Sequence, residues 1–301
     1  MFVVKYRKLW FALSTVLVLA SFYAVYAFGF NLSIDFKGGT ITEVRYAGER
    51  PEKDSLEKSL NTLEIGGFSV RPSGNDAYII RTKELTEAER PELQKVLAQG
   101  GSPFTIERQN TIGPVAGAEL QSKAVKAIMV VVLMIVLFVT FAFRKVSRPV
   151  SSWKYGLATI LALAHDVIIP TGVFVYLGHV LGFEIDLLFV TGLLAILGYS
   201  VHDTIVVFDR VRENLTLNQE RRMNEEFETT VGKSVQQTFG RSINTSLTIL
   251  ITLLALYIYG SSATETFALL LIVGLVAGTY SSIFVASPLL VTFYKLQKPA
   301  K

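Results

Sequence analysis

The sequence contains no cysteine, which excludes disulfides, thiolate chemistry and cysteine-ligated metals. The same absence leaves the redox compartment unmarked. Histidine is scarce: His165, His179 and His202 are the only three, and they lack metal-ligand spacing such as HExxH. No metal and no cofactor are assigned. A GxxxxGK stretch followed by Ser or Thr is missing, so no P-loop supplies nucleotide energy. Between about Asn31 and Lys123, the long stretch after the first apolar run, no nucleophile–base constellation stands out; no catalytic residue is assigned and the chain does not read as an enzyme. Basic runs interleaved with aromatics are also missing, which argues against nucleic acid as a partner. There is no low-complexity tract and no internal repeat. Charge is thin, at 18% of residues against 50% hydrophobic. With positive mean hydropathy, that balance favours a polytopic membrane protein over a soluble globule.

Six apolar segments have the length to cross a bilayer: Leu9–Phe28, Ala127–Phe143, Tyr155–Tyr176, Leu187–Phe208, Ile243–Tyr259 and Phe267–Leu290. The first follows Lys5, Arg7 and Lys8 and is longer than a signal-peptide core, so it reads as a retained transmembrane helix. Basic residues mark alternate loops. They are Lys5, Arg7 and Lys8 at the start, then Arg144, Lys145, Arg148 and Lys154. They continue with Arg210, Arg212, Arg221, Arg222, Lys233 and Arg241, and finish with Lys295, Lys298 and Lys301. The stretches Leu177–Asp186 and Gly260–Thr266 have none. The positive-inside rule then places both termini in the cytoplasm.

The first loop is a domain, expected outside the membrane. Thr40–Tyr46 alternates like a strand, and Pro51–Leu63 repeats leucines at helical spacing. Phe68–Val70 and Ala77–Arg81 are short strands around the turn chemistry of Pro72–Asp76. Thr86–Leu97 opens with a capping box, Thr86 and Glu89, and Phe104–Arg108 is a last strand. The β-α-β-β-α-β order is ferredoxin-like. The expected fold is therefore a mainly α membrane protein, with six transmembrane helices and one small extracytoplasmic α+β domain between helices 1 and 2. Residues 1–29 hold the N-terminus and helix 1, residues 30–123 the ferredoxin-like domain, and residues 124–301 helices 2–6. Within the last part, 217–240 reads as one amphipathic cytoplasmic helix, because Met223, Phe227, Val231 and Val235 recur every four residues. It would lie on the membrane surface or dock a partner.

The fourth apolar segment holds the costliest residue. A carboxylate in a membrane helix costs roughly 2.5–3.5 kcal/mol, so Asp203 should face protein or water. It reads either as a proton carrier or as polar glue between helices. Arg241 begins the fifth segment and reads either as a charge that switches the pairing of Asp203 or as a snorkelling anchor. His165 and Asp166 sit near the middle of the third segment, as a direct proton site or as structural pairing. His202 precedes Asp203. Asp209, Arg210, Arg212 and Glu213 read as a cytoplasmic network capping the fourth helix, or as a solvated cluster. Gly38, Gly39, Gly113 and Pro114 are hinge candidates or ordinary loop punctuation. Gly274 and Gly278 form a GxxxG packing pattern.

Several of these stretches together resemble the SecF family of membrane proteins. They are Ile34–Thr40 (IDFKGGT), Ile112–Leu120 (IGPVAGAEL), Ala164–Val167 (AHDV), Gly198–Asn214 (GYSVHDTIVVFDRVREN) and Arg241–Thr248 (RSINTSLT). They occur in the right order at the right topological points. The resemblance implies a fold like the resistance-nodulation-division transporters, pairing with SecD as a heterodimer. It implies an auxiliary role at the SecYEG translocon, with YajC and YidC as further partner candidates. There the complex draws on the proton-motive force, or sodium in some relatives, to promote translocation and release of an unfolded polypeptide. The family's membrane aspartate falls on Asp203 and its functional arginine on Arg241. The family pattern has Asn where this chain has His202, which either adds a titratable group or replaces an amide hydrogen bond. Two other functions stay open: a proton-coupled small-molecule or lipid transporter of the same superfamily, and a passive scaffold.

Overall fold

The structure, a computed structural model, describes residues 2–63, 65, 67–98, 103–144, 149–260 and 262–297. Lys145, Arg148, Lys298 and Lys301, four of the expected loop charges, lie outside the described residues. The chain forms two compact units. One is α/β and comprises Leu32–Lys126 with Glu184–Leu187; the other is helical and holds the remaining described residues.

The α/β unit begins with a short helix, α3 (Ile34–Lys37), after α1 (Phe2–Lys5) and α2 (Arg7–Phe28) of the helical unit. It continues with β1 (Gly39–Tyr46), α4 (Lys53–Asn61), β2 (Ser69–Ser73), β3 (Ala77–Thr82), α5 (Glu89–Ala98) and β4 (Phe104–Ile112). The strands form one antiparallel sheet in the order β2-β3-β1-β4. Alternation puts Val44, Tyr46, Val70, Tyr78 and Ile80 on one face, against Leu56 and Leu60 of α4 and Leu93, Val96 and Leu97 of α5. Each large apolar side chain buried there contributes about 1.5–3 kcal/mol. Pro72 is tolerated because β2 is an edge strand. The capping box is half formed. The Glu89 carboxylate accepts from the Thr86 N–H and Oγ, both at 2.8 Å, while regular helix starts at Glu89 itself.

The helical unit takes its spans from α2, α6 (Pro114–Ala142), α7 (Ser152–Leu181), α8 (Leu187–Glu220), α9 (Phe227–Tyr259) and α10 (Ser262–Ser281). The last continues through a π turn, Ser282–Ala286, into α11 (Ser287–Lys295). Pro288 has no N–H for the preceding turn, which suits a widened turn there. All six spans are long and apolar enough to cross a membrane. At least half of the apolar window is buried in α7, α8 and α10–α11, and under a fifth in α2, α6 and α9. The first group is the inside of the bundle. Phe143, Tyr155 and Phe208 lock α6, α7 and α8 together, with ring centroids 5.2–5.9 Å apart.

The single helix expected over 217–240 is not formed. α8 runs to Glu220 and α9 starts at Phe227. Arg222 takes a left-handed backbone (φ 52°), and the Met223 N–H returns to the Asn218 carbonyl at 2.9 Å. That is a Schellman-type stop. Asn218 then donates to Glu225 (3.2 Å) and Thr230 (3.1 Å), tying the turn shut. Phe227, Val231 and Val235 keep their four-residue spacing and are buried in the bundle, whereas Met223 is exposed. The boundary expected at 123/124 falls inside α6, which starts at Pro114.

Candidate functional site

α7, α8 and α10 meet at Asp166, which is fully buried. Its Oδ2 accepts from Ser281 Oγ (2.8 Å) and from Ser200 Oγ. Its Oδ1 lies 3.0 Å from His165 Nδ1. The His165 ring stacks on Tyr280, with centroids 5.7 Å apart, and its Nε2 is buried without a hydrogen-bond partner. Consecutive residues on a helix point about 100° apart. Here the pair still bonds, because the imidazole folds back on its neighbour.

The GxxxG pattern makes this centre possible. A Cβ on Gly278 would lie 3.0 Å from Ser200 Cβ, and one on Gly274 would lie 2.1 Å from Ile196 Cδ1. Small residues let α10 approach α8 closely enough for Ser200 and Ser281 to share one oxygen. Next to them, Thr204 and Ser282 pair at 2.8 Å.

Asp203 forms a second centre, between α8 and α9. It is 5% exposed. Oδ1 accepts from Ser242 Oγ at 2.7 Å, while Oδ2 is buried and has no hydrogen-bond partner. The side chain bonded to Asp203 is that of Ser242, the neighbour of Arg241. α9 turns Ser242 towards Asp203 and leaves Arg241 exposed. His202 is exposed too and does not join the bundle interior. Arg241 instead lines a cavity of about 230 Å³ between α8 and α9, with Thr238, Gln237, Asp209, Arg210 and Glu213.

Those last three, with Arg212, pair along α8 itself. Arg210 meets Glu213 at 2.8 Å and Arg212 meets Asp209, both at i,i+3 spacing and largely solvated. They do not cap the helix, which continues to Glu220. Exposed pairs of this kind contribute about 0–1 kcal/mol.

In the α/β unit, Gly38 (φ 78°) and Gly39 (φ 132°) occupy backbone conformations that disfavour a side chain. A Cβ on Gly38 would lie 2.8 Å from the Pro114 Cα, and one on Gly39 2.5 Å from the Thr82 carbonyl oxygen. The four hinge candidates thus include a close backbone contact at the first residue of α6.

Ser200, Ser242 and Ser281 were not singled out by sequence reasoning. Their only sequence signal is hydroxyl residues recurring one turn apart, or adjacent, in apolar helices: Ser200 and Thr204, Ser242 and Ser246, Ser281 and Ser282. Among the described residues, no three His, Cys, Asp or Glu side chains gather as a metal site.

Fold and site together define a class: a multi-pass helical membrane protein with two separate buried carboxyl centres and one small α/β unit. The family described as protein export membrane protein SecD/SecF, C-terminal, matches residues 92–296, and the SecD/SecF GG motif matches residues 23–48. The protein translocase subunit SecF of Thermobaculum terrenum is 39% identical, over 97% of this chain and 93% of the relative. That of Anaerolinea thermophila is 35% identical, over 95% and 91%. A crystal structure of SecDF from Thermus thermophilus, a translocon-associated membrane protein, superposes with a TM-score of 0.84 at 34% identity. It covers 97% of this chain, which spans 38% of that longer one. The chain belongs to the SecF family.

Proposed function

We propose that the chain is an auxiliary subunit of the Sec translocation machinery. With SecD, it uses the proton-motive force to promote preprotein translocation and release across the bacterial cytoplasmic membrane. Asp203 is the proton carrier. The observation that carries this reading is its asymmetry: one oxygen is held by Ser242, and the other is buried and open. A proton adds to Oδ2 and later leaves it, while the Ser242 bond at Oδ1 persists. A cavity between α8 and α9, lined by Thr238, Arg241, Asp209, Arg210 and Glu213, lies a few residues along α8 from Asp203. Arg241 serves that cavity as a fixed charge, and His202 tunes it from the exposed side. His165 and Asp166 support the bundle instead of exchanging the proton.

In this reading both termini are cytoplasmic and the α/β unit is extracytoplasmic. Its β-α-β-β-α-β order and β2-β3-β1-β4 sheet support the ferredoxin-like assignment. Gly38, Gly39, Gly113 and Pro114 form the joint at which that unit moves. SecYEG, YajC and YidC are the proposed neighbours, an unfolded polypeptide the cargo, and protons, or sodium, the driving ion. One proton moving down 100 mV releases about 2.3 kcal/mol. That biases a two-state joint by about fiftyfold.

The test is gradient-dependent translocation in proteoliposomes holding the assembled complex. Asp203→Asn should assemble normally and lose the gradient-dependent component. Full stimulation in that variant would remove Asp203 as carrier and leave the scaffold reading.

A further inference from the structure

α8, which carries Asp203, does not begin in the helical unit. Its first residue, Leu187, and the three residues before it belong to the α/β unit. Four contacts hold them there. Ile185 forms a parallel bridge with Leu32. The Ser33 N–H donates to the Ile185 carbonyl at 3.0 Å. The Leu187 N–H donates to Asp35 Oδ2 at 3.0 Å. Arg81 of β3 brings Nε to 2.8 Å from Glu184 Oε2, with side chains only 17% and 11% exposed.

Each contact has a physical consequence. The first N–H groups of a helix have no partner within it, and an acidic group there also suits the helix dipole. Asp35 supplies that acceptor from the α/β unit, and its own N–H is fixed by Ser33 Oγ at 3.1 Å. The Arg81–Glu184 pair is different. Arg81 Nε and Nη1 and Glu184 Oε2 are buried without hydrogen-bond geometry. Burial pushes the Glu184 carboxyl up, against the pull of Arg81, Arg71 and Lys37, while Asp186 reinforces the rise. A buried pair satisfied this poorly adds little stability, and its strength lies in specifying position. From Leu187 the helix continues without a break to Asp203, roughly 24 Å farther on at about 1.5 Å per residue.

We infer that Asp35, Arg81 and Glu184 are positioning residues for the coupling step: they strap the start of α8 to the α/β unit, so that a change at Asp203 reaches that unit through one continuous helix. This rests on the proton-carrier reading above. It adds residues far from the carboxyl, one of them, Glu184, in the loop just before α8.

The assembled complex in proteoliposomes tests it, with proton uptake and translocation measured side by side. Coupling between sites corresponds to about 5–150-fold effects. Arg81→Glu and Glu184→Arg should each lower the gradient-dependent component of translocation about tenfold. Proton uptake should stay at the parent level, which a general structural defect would not permit. The double reversal, R81E with E184R, should restore translocation. Either single reversal keeping the full component in assembled complex overturns the proposal, as does a double reversal that assembles without restoring it. If reversal prevents assembly, Glu184→Gln carries the test, and full stimulation in that variant overturns the proposal. Asp203→Asn separates the two ideas. It should lose uptake as well as translocation, and if it keeps both, the carrier assignment fails while the strap is still judged on its own variants.

Discussion

Two aspartates are buried in the helical unit, and they are held in opposite ways. Asp166 has a partner on each oxygen, drawn from three helices. Asp203 has one donor, Ser242, and a second oxygen with none. Burial is common to both; under the proposed function, the count of donors is what separates an anchor from a carrier. A saturated carboxylate fixes the helices around it, and changing its protonation disturbs several bonds at once. A carboxyl with an open oxygen takes up a proton and keeps the bond it already has.

Removing the side chains breaks the comparison most strongly. Asp166→Ala leaves Ser200, Ser281 and His165 without their acceptor and should cost about 3 kcal/mol. Asp203→Ala deprives only Ser242 of its acceptor and should cost about 1 kcal/mol. Thermal unfolding of the purified complex in detergent reads both, and equal losses would erase the distinction. Next in size, Gly278→Val puts side-chain atoms where Ser200 now packs. It should cost about 2 kcal/mol in the same assay, because overpacking forces α10 away from α8. Ser200→Ala and Ser281→Ala should each cost about 1 kcal/mol, since each removes one of several donors.

The smallest effect lies in the α/β unit and extends the comparison to an exposed carboxylate. Glu89 is bonded by the Thr86 N–H and by Lys83, which hold its pKa at about 2. A depressed pKa stabilises the fold above the ordinary carboxylate range, and that contribution disappears as pH falls through about 2. Glu89→Gln should therefore flatten the acid limb of the unfolding curve and leave the neutral region nearly unchanged. An unaltered acid limb would show that these donors do not hold the carboxylate.

Much of this arrangement was legible in the chain. The six spans were visible as apolar runs, and Asp203 as an expensive charge inside one of them. The four strands followed from alternation, although β2 runs on through Pro72 and Ser73, which read as turn. What escaped were contacts set by rotation and by distance along the chain. Arg241 and Ser242 are neighbours in sequence, but about 100° of helical rotation decides which one meets Asp203. A serine in an apolar helix is common enough to carry no signal until the helix facing it is known. The stop at Arg222 was hidden because the four-residue spacing runs across it and no glycine marks the left-handed turn. Glu184 lies in a short loop without Lys or Arg, and its meaning depends on Arg81, distant in sequence.

The central claim is that Asp203, and not Asp166, exchanges the proton. Infrared titration of the carboxyl C=O band in the reconstituted complex measures this directly. The parent complex should show a titrating buried-carboxyl band that disappears in Asp203→Asn and persists in Asp166→Asn. A band that survives in Asp203→Asn and vanishes in Asp166→Asn would contradict the assignment.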